Sequence, residues 1–187
     1  MEKKDTNQEY KNVIASCRDL YKAKLGDYGA AWHVLRPSSL TDQIYIKAKR
    51  IQTLQLTGEN RVGEDIRGEF VGIVNYSVMA LIQLELGFED KPLAPEEALA
   101  CYDRYVEQAF ELMQRKNHDY GEAWRNMRQS SLVDIILMKL LRVKEIEDAG
   151  GRTSVSEGLD ANYFDILNYA VFALIQIEEE TLPENEA

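Results

Sequence analysis

Apolar residues recur along this chain at helical spacing. Ile73, Val74, Val78, Leu81 and Ile82 form one such stripe, and Ile166, Leu167, Val171, Leu174 and Ile175 form another. No segment alternates apolar and polar residues over the length of a strand, and few Gly or Pro interrupt the apolar stretches. The pattern therefore predicts an all-α chain. Three main helices are expected in each half. The first runs from about Asn7 to Lys24 and again from about Pro95 to Arg115. The second begins near Ser39 and Ser131, where Ser-Leu-Thr-Asp and Ser-Leu-Val-Asp fit a capping box. The third runs from about Glu64 to Leu86 and from about Asn162 to Glu179. Thr57-Gly58-Glu59-Asn60 and Ala149-Gly150-Gly151-Arg152-Thr153-Ser154 read as turns, and Asp90 to Pro95 as the linker between halves.

The halves are copies of each other. Residues 27–50 match 119–142 at a shift of 92 with 13 identities in 24 positions. Residues 73–85 match 166–178 at a shift of 93 with 9 identities in 13, so one extra residue falls in the intervening loop. A period this long exceeds a solenoid unit. Two tandem repeats are expected, residues 1–92 and 93–187. They form either two small bundles or one pseudo-twofold bundle.

Composition narrows the class. The chain has 187 residues, 45% of them apolar, and a net charge of −10. That is enough to build a core, and the acidic balance with no basic tract argues against non-specific binding to nucleic-acid backbones. The polar start, Met1 to Asn7, lacks a signal-peptide apolar region, and no apolar run suggests a membrane span. Cys17 and Cys101 lie far apart and make no metal-type cluster, so a reduced, cytoplasmic protein is the expectation. His33 and His118 do not occupy matching positions, which disfavours a histidine pair or a zinc site.

The polar residues that both copies keep are the candidate chemistry. Asp27-Tyr28-Gly29-Ala30-Ala31-Trp32 and Asp119-Tyr120-Gly121-Glu122-Ala123-Trp124 fall where the first helix of each repeat should end. Two roles are open: a structural turn closing the bundle, with Gly29 at positive φ, or an aromatic platform for a base with Lys24 or Lys116 near phosphate. Lys47 with Arg50, and Lys139 with Arg142, share one helix face at i,i+3 spacing. They form a solvated edge or a phosphate-binding one, to which Arg36 and Arg128 would add. Asp42 and Asp134 either cap a helix or help hold Mg²⁺. Asn75 and Asn168 sit inside apolar helices and need partners, across the pseudo-twofold axis or on a base edge.

With its Lys-x-x-Asp-Tyr-Gly-x-Ala-Trp, Ser-Ser-Leu-x-Asp and Lys-x-x-Arg motifs, the chain resembles the nucleotide modification associated domain family over nearly its whole length, as two tandem copies. The resemblance implies a role in nucleotide or modified-base metabolism, with a nucleotide or modified nucleotide as ligand. The third helices also look distantly like those of MazG-like all-α nucleoside triphosphate pyrophosphatases, which hold Mg²⁺ on carboxylates from two helices. That likeness implies metal-assisted phosphoanhydride hydrolysis. The Glu-Glu-x-x-Glu motif of those enzymes is missing, and their Glu-x-x-Asp is split. The first copy has Glu69 with Gly72, and the second has Asn162 with Asp165. A metal site would then be composite, from Asp42, Glu69, Asp134 and Asp165 between the halves. The alternative is a non-catalytic helical interaction or oligomerisation module, and pairing into a homodimer is compatible with either.

Overall fold

The computed structural model describes residues 5–61, 63 and 65–181. Six helices carry the described residues: α1 (Thr6–Tyr28), α2 (Pro37–Thr57), α3 (Ile66–Leu86), α4 (Pro95–Tyr120), α5 (Gln129–Asp148) and α6 (Leu159–Thr181). Short 3-10 turns, Ala31–Val34 and Ala123–Asn126, follow α1 and α4. Among the described residues there is no strand, only an isolated bridge between Ala30 and Leu93. The expected start of the third helix at Glu64 lies outside the described residues.

The second helices do not begin at a capping box. Arg36 and Arg128 are the N-cap residues, neither caps through its side chain, and Pro37 occupies the first turn of α2, where its missing N–H costs nothing. Ser39 and Ser131 lie inside the first turn, so Asp42 and Asp134 are not capping acids. The first helices run a turn longer than expected and stop at Gly29 and Gly121. Both glycines take φ near +60 to +70°, and each donates its N–H to a carbonyl four residues back.

Helices α2, α3, α5 and α6 pack into one layered core, α2 on α3, α3 on α6, α6 on α5 and α5 on α2. The repeats therefore build one bundle around one hydrophobic cluster. Helix α3 is long and apolar enough to cross a membrane, but 72% of that stretch is buried inside the bundle. Its apolar character is that of a core helix.

Reciprocal contacts reveal the pseudo-twofold axis. Asn75 Nδ2 donates to the carbonyl of Cys17, and Tyr102 donates its hydroxyl to Asn75 Oδ1 at 2.7 Å. In the other half Asn168 Nδ2 donates to the carbonyl of Ala109, and Tyr10 donates to Asn168 Oδ1 at 2.7 Å. Each asparagine thus ties its own repeat's first helix to a tyrosine from the other repeat, so the cross-axis role is the one the structure gives it. The α2–α5 contact is reciprocal too. Lys144 pairs with Asp42 at 2.6 Å, and Gln52 donates to Asp134 at 3.1 Å.

Candidate functional site

Each repeat contains a cavity where its first helix, its 3-10 turn and its third helix meet. The glycine that ends the first helix lets the chain fold back sharply, which carries the tryptophan of the duplicated motif under the end of that helix. The turn is then pinned to the third helix by a glutamine. Gln83 Nε2 donates to the carbonyls of His33 and Leu35, and Gln176 Nε2 to those of Trp124 and Met127. The glutamines supply the donor to the Leu35 and Met127 carbonyls and add a second to those of His33 and Trp124, which also accept the backbone N–H groups of Glu89 and Met127.

The first cavity is about 380 Å³ and is lined by Lys24, Tyr28, Trp32, Lys47, Gly72, Asn75 and Tyr76, among others. The second is about 290 Å³ and is lined by Lys116, Tyr120, Trp124, Asp165, Asn168 and Tyr169, among others. These volumes lie near the lower end of small-molecule sites, roughly 300–1,000 Å³. Lys24, Tyr28, Trp32, Lys47, Lys116, Tyr120 and Trp124 thus all line cavities. The cavities lie within the repeats, not between them.

The aromatic roles divide differently from the expectation. Trp32 and Trp124 are buried, whereas Tyr28 and Tyr120 are 58% and 75% exposed at the rims. Phe172 stacks on Trp124 at 4.3 Å with the rings 3° from parallel, and the Arg125 guanidinium lies over the indole at 4.5 Å. Trp124 has little free face to offer a base. Its Nε1 and that of Trp32 are buried without hydrogen-bond partners. The most exposed rings are the rim tyrosines, and Tyr76 and Tyr169 also line the cavities. Burial, and then the Asp165 carboxylate, push the Tyr169 hydroxyl above the usual tyrosine pKa, so it stays protonated and can donate.

The carboxylates expected to hold metal stand apart. Asp42 and Asp134 face the α2–α5 seam with the partners named above. Glu69 pairs with Arg50 at 2.5 Å and Lys47 at 3.4 Å. Asp165 pairs with Lys139 at 2.7 Å and with Lys116. Among the described residues no group of three or more metal-type ligands forms. The composite arrangement of Asp42, Glu69, Asp134 and Asp165 is therefore not made, and the residues present do not fit a divalent cation shared between halves. The split Glu-x-x-Asp has another explanation. Each copy keeps one carboxylate, on different turns of the third helix, as counter-ion to the second-helix lysine. Lys139 is only 7% exposed and needs one.

Other expected ligand residues lie outside the cavities. Asp27 and Asp119 are exposed near the helix ends, Asp119 beside His118 at 3.0 Å. Arg36 and Arg128 are exposed at the starts of α2 and α5. Arg50 lies along a shallow groove with Thr53, Asn60 and Arg61, and Arg142 is exposed on α5. Sequence reasoning missed Tyr76, Tyr169, Gln83 and Gln176 as site-building residues. Their signal was present, since all four lie in the duplicated third-helix block beside the asparagines.

No curated protein and no solved structure matches the chain. The sequence profile described as nucleotide modification associated domain 1 matches residues 24–84 and 116–177. The two matched segments begin at Lys24 and Lys116, the first cationic residues of the two cavities. The chain belongs to the nucleotide modification associated domain 1 family and carries its domain twice.

Proposed function

We propose that the protein binds nucleotides or nucleosides, canonical or modified, in its two repeat cavities. The observation that supports this is the convergence, in each repeat, of a lysine, an exposed rim tyrosine and a second tyrosine beside a buried asparagine on one cavity of small-molecule size. A tyrosine face accepts any base, and stacking of this kind is worth about 1–3 kcal/mol per base. The lysine supplies charge at the mouth. The family's name, which ties it to nucleotide modification, agrees with a ligand of this class.

Binding without cleavage is the form proposed. Mg²⁺-dependent hydrolysis of a nucleoside triphosphate requires carboxylates gathered on a shared cation, and here each carboxylate is engaged with a lysine, an arginine or a glutamine. Thermal unfolding of the full chain with a panel of canonical and modified deoxynucleosides and their phosphates tests the reading. A ligand that prefers the folded state must raise Tm, by about 2.7 kcal/mol of added stability at a hundred times Kd. No shift with any member at millimolar concentration overturns binding. Pyrophosphate release from the triphosphates with Mg²⁺ would replace binding with catalysis.

A further inference from the structure

The cavities are built from matching residues but differ in charge, and the difference traces to one position. Gly72 of α3 corresponds to Asp165 of α6. In the second repeat Asp165 stands in the cavity wall, and its two oxygens take Lys116 from the rim and Lys139 from behind. Both ammoniums are neutralised, and the group that faces the cavity is a carboxylate. In the first repeat there is no side chain at Gly72, and Lys47 enters the vacant space. A Cβ placed on Gly72 would lie 2.6 Å from Lys47 Cδ and Cε and 3.0 Å from its Nζ. Lys47 thereby becomes part of the cavity wall, while its counterpart Lys139 does not.

The first repeat's carboxylate has moved out of the cavity. Glu69 lies one turn earlier on α3, off the lining, and makes its shorter contact with Arg50 rather than Lys47. Lys24, the counterpart of Lys116, is exposed, and among the described residues it has no ion-pair or hydrogen-bond partner. The first cavity therefore presents two ammoniums and no carboxylate. An anion entering it meets attraction from both lysines. An anion entering the second meets Asp165 and must break two ion pairs to be held.

We propose that the two cavities have divided the ligand classes. The first binds the phosphate of a nucleotide between Lys24 and Lys47. The second binds an uncharged nucleoside or base, with Asp165 accepting a hydrogen bond from an amino or imino group and Tyr120 and Tyr169 beside the ring. This rests on the nucleotide reading above and assigns each site its ligand.

Calorimetric titration of the full chain tests it with three probes: a deoxynucleoside, its 5′-monophosphate and inorganic phosphate. The monophosphate is expected at one high-affinity site per chain, weakening steeply with salt. Lys24→Ala lowers that affinity about tenfold or more. Gly72→Asp lowers it as much or more, because Lys47 is the flexible group that must withdraw and pair with the new carboxylate. The nucleoside is expected at one site that is indifferent to salt and to Lys24→Ala, and that Tyr120→Ala weakens about tenfold. Two equivalent monophosphate sites, or monophosphate binding lost with Tyr120→Ala but unchanged in Lys24→Ala and Gly72→Asp, overturn the division while leaving nucleotide binding intact. Inorganic phosphate binding that depends on Lys24, with no preference for any nucleoside or nucleotide, overturns the nucleotide reading and leaves the anion assignment of the first cavity. Failure of all three probes to bind overturns both.

Discussion

In the first repeat the ammonium of Lys47 leans into the space that Gly72 leaves open; in the second, Lys139 stops behind Asp165. The surrounding architecture is otherwise shared, down to the glutamine that pins the turn and the asparagine that braces the axis. In both copies the second-helix lysine pairs with a carboxylate of the facing helix, but either of two turns of that helix can supply it. Which turn does so decides whether the carboxylate lies inside the cavity or outside it. A requirement of stability thus leaves room for a change in ligand charge.

The largest effect that can break this comparison comes from removing the counter-ions. Asp165→Asn leaves Lys139 buried and uncompensated, and is expected to cost about 3 kcal/mol. Glu69→Gln is expected to cost about 1 kcal/mol. The Lys47 side chain is 26% exposed against 9% for Lys139, so water can take over part of its solvation. Urea unfolding midpoints at constant m measure both. Equal costs would show that Lys47 and Arg50, the two partners of Glu69, are no better solvated than Lys139.

Much of this fold was legible in the sequence because duplication exposes positions that both copies require. The six helices, the positive φ at Gly29 and the cross-axis partners of Asn75 and Asn168 follow from periodicity, turn chemistry and the cost of a buried amide. The charge difference between cavities was not legible. The sequence shows that Gly72 lacks the carboxylate of Asp165, but only packing shows that Lys47 fills the gap. The capping role of Asp42 and Asp134 failed for a related reason. Arg36 and Arg128 begin the helices a turn earlier, which turns both acids toward the α2–α5 seam, where Lys144 and Gln52 come from distant sequence. For the tryptophans the sequence leaves a bundle-closing turn and a stacking platform both open, and it cannot show that Phe172 from α6 covers Trp124.

The shared braces should behave alike where the cavities do not. Asn75→Ala leaves the Tyr102 hydroxyl without its acceptor in the core and removes the side-chain donor to the helical Cys17 carbonyl, and Asn168→Ala does the same to Tyr10 and Ala109. Each is expected to cost about 2 kcal/mol, with the two equal to within about 0.5 kcal/mol. Unequal costs in urea would mean that the pseudo-twofold equivalence seen in geometry does not extend to energetics.

Alkaline unfolding probes the same braces from the tyrosine side. Burial raises the hydroxyl pKa of Tyr10 and Tyr102 well above the ordinary value. Both stay protonated in the folded chain at a pH where the unfolded chain has begun to ionise. Folded-state stability is therefore unaffected by these groups below about pH 10 and declines as pH rises beyond it, up through the folded pKa. Tyr10→Phe and Tyr102→Phe should each flatten that decline by a similar amount in denaturation curves measured from pH 9 to 11. A decline unchanged in both variants would place the alkaline sensitivity elsewhere.

The smallest stability effect is the most informative about why the motif was kept. Tyr28 and Tyr120 sit at the ends of α1 and α4 with most of their surface in water. Tyr28→Ala and Tyr120→Ala are therefore expected to change unfolding free energy by no more than about 0.5 kcal/mol. If both variants unfold like the parent chain and each loses its own repeat's ligand, these exposed rings are retained for contact with that ligand. A loss of 2 kcal/mol or more in either would instead make that tyrosine a lid closing the end of its repeat, and the turn would then account for the Asp-Tyr-Gly motif without any base.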